Sequence, residues 1–338
     1  MNEKIDFVIT WVDGSDPIWL KEKAKYRPDS NKEDASASRY RAMDTFYYLF
    51  RGIEKFAPWV NKVYLITYGH LPKWLNTNNE KLVIVKHKDY IPEKYLPTFS
   101  SNVIEFNEFR IEGLSENIVC FNDDMFLIKP TKPTDFYKNG LPCDSAVLNA
   151  IAPDRIKGTK KVYLKSVFNM VIINSYFNKK KAIKDKPLNW FNPKYGSHLL
   201  RTIFLTPWIH FTGFENWHYP YSIQKSTMKE LWDCEYETMD EVCKHKFRMG
   251  TDINIWLFCY WQYASNNFYP RNPNIGARFT LTDDQERNRL FFRKSINRHN
   301  KFLCLNDAID SDDDFREAEE IVREYFDKIL PEKSSFER

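Results

Sequence analysis

Short apolar runs separated by helical patterns organise the first half of the chain. Four such runs predict strands at residues 5–12, 62–68, 81–86 and 117–121. Between the first two, apolar residues recur at helical spacing, with Asp44 placed as an N-cap and Pro58 as the stop. A second helix is predicted to begin at Ser100 or Ser101. Because alternating strands and helices favour parallel pairing, we predict an α/β, Rossmann-like fold with a mostly parallel sheet flanked by helices.

The second half of the chain is less regular. Residues 162–173 are apolar and partly strand-like, and the run over residues 178–186 is rich in lysine. Such a run is typical of a solvated face, and contact with membrane phosphates or an anionic acceptor is the alternative. From Asp310 onwards, acidic residues followed by an apolar stripe predict an amphipathic helix packed on the main body.

An acidic pair follows the fourth predicted strand. Asn122, Asp123 and Asp124 stand between two apolar runs, and an unpaired carboxylate is costly to bury in an apolar core. One interpretation is a strand end that delivers both acids into a cleft, where they can hold a divalent ion. The alternative is a plain turn that uses Asn and Asp for their turn chemistry. Adjacent strand residues face opposite ways, so both acids can share a site only if the strand has ended before them.

Two other strand or helix ends carry polar groups. Asp13 and Gly14 follow the first predicted strand, and ligands of parallel sheets bind outside the carboxyl ends of the strands. A plain turn before Pro17 is the alternative. Glu105 lies in the first turns of the second predicted helix, whose N-terminus is a ready anion site. That carboxylate is equally explained by the helix dipole.

Three cationic or titratable side chains stand in the second half. His218 and Lys225 bring an imidazole and an amine from one short stretch, although an isolated histidine is more often structural. Arg248 and Asp252 are four residues apart on a predicted helix, and the simplest interpretation is an intrahelical ion pair.

Composition narrows the function classes. The chain has 338 residues, of which 43% are hydrophobic and 28% charged, as in soluble globular proteins. A net charge of +4 is too small to argue for a nucleic-acid partner. The six cysteines show no Cys-x-x-Cys pair and no zinc-like spacing, so reduced thiols in a cytoplasmic protein are expected. The apolar stretches are too short to span a bilayer.

Several of these segments together closely resemble the Stealth family. That family contains bacterial capsule and cell-wall polysaccharide phosphotransferases and the catalytic subunit of the lysosomal N-acetylglucosamine-1-phosphotransferase. The resemblance covers about the first 270 residues, in the family's order. It implies a catalytic domain over residues 1–270, with a helical C-terminal extension over residues 271–338 packed on it. Residues 218–226 resemble its third region and residues 246–252 its fourth. The first two regions are resembled by residues 5–17, 51–60, 96–105, 110–115 and 121–125.

The resemblance implies a nucleotide-sugar transferase fold and a specific reaction. A sugar-1-phosphate would pass from a UDP-sugar to a hydroxyl of an acceptor saccharide, leaving a phosphodiester in a surface polysaccharide and releasing UMP. The acceptor would be an oligosaccharide on a lipid carrier, which would place the enzyme at the inner face of the plasma membrane. The alternatives are a metal-dependent glycosyltransferase that passes on the sugar alone and a non-catalytic carbohydrate-binding protein.

The resemblance also implies roles for the candidate residues. Asp123 and Asp124 would place Mg²⁺ or Mn²⁺ on the pyrophosphate, with Asn122 as helper, and one of the two acids could lie farther from the ion. His218 would be the general base on the acceptor hydroxyl, with Asp124 as the competing base. The remaining candidates would bind the donor: Trp11, Asp13 and Gly14 the nucleoside, Lys225 and Arg248 the phosphate oxygens, and Glu105 and Arg110 the sugar or the phosphate ligands.

Overall fold

The computed structural model describes residues 4–26, 33–34, 43–152, 162–296 and 299–338. Within these ranges the strands are β1 (Ile5–Thr10), β2 (Glu33–Asp34), β3 (Val63–Thr67), β4 (Leu82–Lys86), β5 (Asn117–Asn122), β6 (Met125–Leu127), β7 (Tyr137–Lys138), β8 (Leu141–Asp144), β9 (Tyr221–Gln224), β10 (Arg248–Met249), β11 (Tyr269–Pro270), β12 (Gly276–Leu281) and β13 (Phe302–Asp307). The α-helices are α1 (Pro17–Lys25), α2 (Phe46–Phe56), α3 (His87–Tyr90), α4 (Ser101–Phe106), α5 (Val162–Tyr176), α6 (Lys179–Asp185), α7 (Pro187–Trp190), α8 (Leu199–Leu205), α9 (Lys225–Cys234), α10 (Tyr236–Lys244), α11 (Trp256–Ala264), α12 (Gln285–Leu290) and α13 (Asp312–Ile329).

The main sheet has the strand order β4-β3-β1-β5-β9. Its first four strands are parallel, and β9 pairs with β5 in the antiparallel sense. Phe7, Val8 and Ile9 in the central strand are fully buried, as expected for strands covered on both faces. The four predicted strands and the mostly parallel α/β sheet are therefore confirmed. In the register of β1 and β5, Thr10 stands opposite Asn122, so the two carboxyl ends lie side by side.

A smaller sheet continues directly from the end of β5. After the two-residue turn of Asp123 and Asp124, β6 pairs with β13, which in turn pairs with β12. Met125 stands opposite Cys304 in this register. The acidic turn therefore joins the main sheet to a second sheet that is built largely from the C-terminal part of the chain. A further sheet of β11, β8 and β7 and a short β10–β2 pair complete the described strands.

The C-terminal helix α13 begins at an N-cap, Ser311, whose side chain accepts a hydrogen bond from the Asp314 N–H. It packs on α2, where the Phe326 ring stacks on Tyr48 at a centroid distance of 4.9 Å. The Arg51 guanidinium holds Glu337 at 2.8 and 2.9 Å, as a two-pronged ion pair. The predicted amphipathic helix is confirmed. The segment predicted as a helical extension also contains β12 and β13, because the apolar run 302–305 finds a strand partner, β6, that is distant in sequence.

Two local predictions were wrong. Residues 162–173, interpreted as partly strand-like, lie in helix α5. Helix α2 has Thr45 at its N-cap rather than Asp44, since the Asp44 carboxylate instead pairs with Arg323 at 2.7 Å. Among the described helices, none is both long and apolar enough to cross a membrane.

Helix α2 approaches β6 closely at Gly52. A Cβ atom added there would lie 2.6 Å from the Leu127 carbonyl oxygen, which is backbone and cannot rotate away. We therefore expect Gly52→Ala to lower the free energy of unfolding by about 1–3 kcal/mol, although alanine is the better helix former. Urea unfolding of the two proteins measures this difference. Equal or greater stability of the variant would mean that the helix and strand can separate without cost.

Candidate active site

A cavity of about 530 Å³ opens at the carboxyl edge of β1 and β5. Its walls come from the ends of β1, β5 and β13 and from the starts of α2 and α4. Trp19 and Phe99 add aromatic surface to one side. Of the sequence-predicted site residues, six line this cavity: Trp11, Glu105, Asn122, Asp123, Asp124 and Arg248.

Asp123 and Asp124 form a turn after β5, and the same turn is part of the cavity wall. Strand β5 ends at Asn122, so Asp123 and Asp124 are free of the strand alternation, and both line the cavity. The Asp124 carbonyl accepts a 2.9 Å hydrogen bond from the Leu305 N–H, which fixes the turn against β13. The Asp124 Oδ1 atom is buried and has no hydrogen-bond partner among the described residues. A buried carboxylate oxygen of this kind is a suitable position for a cation.

Asp123 is held in an unfavourable electrostatic environment. Burial, together with the charge of Asp124, raises the pKa of the Asp123 carboxyl from 3.8 to about 7. Two carboxylates placed side by side raise each other's proton affinity unless a cation neutralises them. Strongly shifted carboxyls of this kind cluster at functional sites.

His218 faces Asp124 from the loop that precedes β9. Its Nε2 atom lies 3.7 Å from Asp124 Oδ2, and about a quarter of each side chain is exposed. The His218 backbone is left-handed, with φ of 53°, a conformation that costs a non-glycine residue about 1–2 kcal/mol. The neighbouring Tyr219 anchors the loop, because its hydroxyl donates to the Gly276 carbonyl at 2.8 Å. The fold thus maintains a strained backbone that points the imidazole at the acidic turn.

Cys304 adds a thiol to the same cluster. Ligand atoms of Asp124, His218 and Cys304 all lie within 4.8 Å of one another. Burial and the Asp124 charge raise the pKa of the Cys304 thiol well above its usual range, so the thiol remains protonated. It donates to Asp124 Oδ2 at 3.5 Å and helps to orient that carboxylate.

Glu105 and Arg248 also line the cavity. Glu105 is buried, and burial raises the pKa of its carboxyl from 4.5 to about 7, while the charges of Arg248, Lys165 and His218 act in the other direction. The Arg248 guanidinium donates to the Ser101 hydroxyl at the start of α4. The site therefore places an acid with a raised pKa near two cationic groups, Arg248 and Lys165.

Arg248 does not form the predicted intrahelical ion pair with Asp252. It lies in β10, which pairs with β2. Asp252 is fully buried and instead bonds His245 Nδ1 at 2.8 Å and accepts from the Met249 N–H at 2.7 Å. Because Asp252 is occupied in this way, the Arg248 side chain is available to the cavity.

Lys225 lies at the end of the sheet opposite the cavity, so it cannot take the predicted role in phosphate binding there. Strand β9 runs antiparallel to β5, and Gln224 stands opposite Asn117 at the start of that strand. The six residues of β5, at about 3.3 Å each, therefore separate Lys225 from the acidic turn by roughly 20 Å. Its ammonium group instead donates to the Leu114 carbonyl at 3.4 Å.

Asp13, Gly14 and Arg110 do not line the cavity either. Asp13 accepts from the Ser15 N–H and hydroxyl at 2.9 and 2.6 Å, which is the geometry of the plain turn. The Arg110 guanidinium lies over the Trp232 ring, 4.9 Å from its centroid. Trp11, by contrast, stacks on Phe46 at 5.4 Å and forms part of the cavity wall.

Several residues near the site were missed at the sequence level. Asn306 and Asp307 line the cavity at the end of β13, and the polar residues after the apolar run 302–305 repeat the pattern that marked β5. His87 follows β4 and also lines the cavity; burial lowers its pKa to about 4, so it is neutral. Lys165 is a buried lysine of α5, and no local pattern indicates its role.

Comparisons with known families and proteins identify relatives of this chain. Sequence models of Stealth conserved regions 1, 2 and 4 match residues 3–31, 39–143 and 294–338. The capsular polysaccharide phosphotransferase WcwK of Streptococcus pneumoniae is 44% identical over 340 residues, which cover 99% of this chain and 98% of that protein. The chain belongs to the Stealth family. It is accordingly a transferase.

Other Stealth relatives extend over the same length. The receptor polysaccharide phosphotransferase WefC of Streptococcus oralis is 42% identical, with 99% of both chains covered. The exopolysaccharide phosphotransferase cps2G of Lactiplantibacillus plantarum is 38% identical and covers 99% of this chain and 96% of its own. A crystal structure of the galactosyltransferase LgtC in complex with donor and acceptor sugar analogs shares 8% identity at a TM-score of 0.40, with 96% of both chains covered.

The family match corrects the extent of the resemblance. The fourth Stealth region is residues 294–338, rather than residues 246–252. This region contains β13 and α13, so the C-terminal part belongs to the Stealth pattern and supplies Cys304, Asn306 and Asp307 to the site.

Proposed function

We propose that this Stealth protein transfers a hexose-1-phosphate from a UDP-sugar to a hydroxyl of an acceptor saccharide, and that it builds phosphodiester linkages in a bacterial surface polysaccharide. The observation that carries the proposal is the convergence of Asp123, Asp124, Glu105 and Arg248 on one cleft at the carboxyl edge of the sheet. His218 does not line this cleft itself but lies 3.7 Å from Asp124, which does. The full-length relationship to named polysaccharide phosphotransferases supports the reaction class. A cytoplasmic location and a lipid-linked acceptor are part of the same proposal.

The proposed reaction is attack on phosphorus. The acceptor oxygen bonds to the phosphorus next to the sugar, the bond from that phosphorus to the bridging oxygen breaks, and UMP leaves. Such a transfer needs a proton acceptor for the hydroxyl, neutralisation of the pyrophosphate charge, and an in-line arrangement of attacking and leaving oxygens. The cavity offers groups for the first two needs and a volume of about 530 Å³ for the third.

His218 is the proposed general base. The imidazole Nε2 lies 3.7 Å from Asp124 Oδ2, so the imidazolium formed by taking the hydroxyl proton would be stabilised by that carboxylate. Asp124 remains the competing base. Trp11 would provide an apolar surface for the donor, and Arg248 a bidentate cation for its phosphate oxygens.

A divalent cation fits the acidic turn. The side chains of Asn122, Asp123 and Asp124 offer oxygen ligands, which Mg²⁺ and Mn²⁺ prefer. Within the described part of the chain, no group hydrogen-bonds the buried Asp124 Oδ1. Asp123 and Asp124 would hold the ion, with Asn122 beside them. When bound, the ion would neutralise negative charge on the pyrophosphate.

A donor labelled in the phosphate next to the sugar tests the reaction. Under the proposal the label enters the saccharide product and unlabelled UMP is released. If the label leaves in UDP while the sugar alone is transferred, the protein is a glycosyltransferase. Binding of donor and acceptor without turnover would instead identify a carbohydrate-binding protein. Each of these two outcomes contradicts the phosphotransferase proposal.

The environment of Glu105 predicts a pH-dependent effect on stability. Between pH 4.5 and about 7, the values that bracket the raised pKa of this carboxyl, the folded chain holds a proton that the unfolded chain has released. The Glu105 contribution to stability therefore falls as the pH rises through this window. Glutamine does not titrate, so Glu105→Gln should not show this loss. The free energy of unfolding of the variant minus that of the wild type should therefore be greater at pH 8 than at pH 4, by up to about 3 kcal/mol. Urea unfolding at both pH values measures this, and an equal effect at pH 4 and pH 8 would contradict it.

A further inference from the structure

Exposed apolar side chains are concentrated in one part of the chain. Among the described residues, fifteen large hydrophobic side chains are exposed, and ten of them lie between residues 164 and 209. These ten are Leu164, Phe168, Val171, Tyr176, Leu188, Leu200, Ile203, Phe204, Trp208 and Ile209. Single exposed hydrophobic residues are ordinary on protein surfaces, whereas a concentration of them indicates an interaction site. We refer to these ten residues as the apolar face.

Helix α5 contributes one stripe of the apolar face. Leu164, Phe168 and Val171 follow one another at spacings of four and three residues and are exposed, which places them on the same side of the helix. Met170 and Ile173, on the other side, are buried. The helix is thus apolar on both its buried and its outward side.

Helix α8 and the turn after it contribute the rest. Leu200, Ile203 and Phe204 share one side of this helix, and Trp208 and Ile209 follow it. Two hydrogen bonds join Asn174 of α5 to the backbone of Phe211, at 2.9 and 3.0 Å. The end of α5 is therefore fixed close to the segment that carries Trp208 and Ile209.

The same region is strongly basic. Residues 162–210 contain seven lysines and one arginine against a single aspartate, a net charge of +7. Since the whole chain carries +4, the remaining residues carry a net charge of −3. Lys180, Lys181 and Lys184 of α6 are among these cations, and all three are exposed. Positive charge is therefore concentrated where the exposed apolar side chains are.

We propose that the apolar face is a docking surface for an anionic phospholipid bilayer. Exposed leucine, phenylalanine and tryptophan side chains next to lysines are the combination by which amphipathic helices rest in the interface of such a bilayer. Each lysine near an anionic leaflet adds electrostatic attraction, and tryptophan favours the headgroup level. Helices α5 and α8 lie on the bilayer surface, and α6 supplies cations to the headgroups.

This surface lies next to the catalytic cavity. Leu164 adjoins Lys165, whose side chain is buried and whose charge acts on Glu105 in the cavity wall. A bilayer at the apolar face therefore lies close to one wall of the cleft. The advantage of this position for a lipid-linked acceptor rests on the proposed function, whereas bilayer binding itself does not.

Vesicle flotation with the full-length protein tests the docking surface. The probes are vesicles of phosphatidylcholine alone and vesicles that contain phosphatidylglycerol in addition. We expect binding to the anionic vesicles that weakens as salt is raised, and little binding to the neutral ones. The double substitution Phe204→Glu and Ile209→Glu is expected to reduce binding at least tenfold, since it removes two apolar contacts and adds negative charge. Absence of wild-type binding at physiological salt would overturn the proposal.

A matched control separates the apolar face from exposed isoleucine in general. Ile18 on α1 is 76% exposed and Ile209 is 69% exposed, so Ile18→Glu makes the same change elsewhere and should leave vesicle binding unaltered. Equal losses in both variants would overturn the proposal. So would a dimer, seen by sedimentation equilibrium, that Ile209→Glu dissociates while vesicle binding is unchanged, because a second copy would then occupy the face.

Turnover with a short water-soluble acceptor distinguishes this inference from the proposed function. Phe204→Glu and Ile209→Glu should retain that turnover within about twofold, because neither residue lines the cavity. Lost vesicle binding with retained soluble turnover supports the docking surface. Vesicle binding in a protein without phosphotransfer would leave the docking surface intact and refute the proposed function alone.

Discussion

Replacing Asp124 by asparagine is expected to lower kcat by about 10²–10³-fold, the range seen when one electrostatic contact to a developing charge is removed. The substitution keeps the shape of the side chain and the backbone hydrogen bond between the Asp124 carbonyl and the Leu305 N–H. What it removes is the negative charge beside His218 and one proposed oxygen ligand of the cation. Steady-state turnover over a range of Mg²⁺ and Mn²⁺ concentrations measures the effect.

Two further variants test the second acid of the turn and control for the loss of a negative charge elsewhere. Asp123→Asn should also lower turnover and shift the metal concentration required, because both carboxylates line the cavity. Asp313→Asn, whose side chain is 93% exposed on α13, removes the same charge at a distance and should have no effect. If both turn variants keep wild-type rate and metal dependence, the acidic segment is only a turn.

Replacing His218 by alanine is expected to lower kcat by about 10²–10⁴-fold with donor and acceptor saturating, the usual contribution of a general base. A purely structural histidine would instead lower the free energy of unfolding and leave kcat near the wild-type value. Steady-state kcat and urea unfolding of the two proteins therefore decide between the roles.

The left-handed backbone at His218 calls for a second variant. Asparagine tolerates positive φ better than alanine, so His218→Asn should preserve the loop and still lose the base. His210→Ala, at an exposed histidine, is the control for loss of an imidazole and should keep wild-type turnover with a soluble acceptor. Near-normal kcat in both His218 variants would exclude the imidazole as the base and favour Asp124.

Local sequence patterns were sufficient to predict a strand or helix where the residues of that element alone carry the signal. The apolar runs that predict strands in the first half correspond to β1, β3, β4 and β5 because strands buried on both faces must be continuously apolar. The acidic residues from Asp310 onwards and the apolar stripe that follows them predicted α13, because both signals lie within one helix. The pattern failed at residues 162–173, since a helix that is apolar on both sides shows no clear helical period.

The contrast between His218 and Lys225 shows where sequence proximity misleads. They are seven residues apart, yet the intervening β9 runs antiparallel to β5 and places them at opposite edges of the sheet. His218 faces Asp124, whereas Lys225 bonds the Leu114 carbonyl. Strand direction is set by pairing with a distant segment, and no local motif encodes it.

The sequence by itself determined that an acidic pair ends a buried strand, that the first half is a parallel α/β unit, and that the chain resembles the Stealth family. Only the tertiary structure decided which groups surround that pair. Cys304 and Asp307 come from a segment far along the chain, because β13 pairs with β6. Periodicity reports which face of an element is buried, whereas the partner of that face is fixed by packing between distant segments.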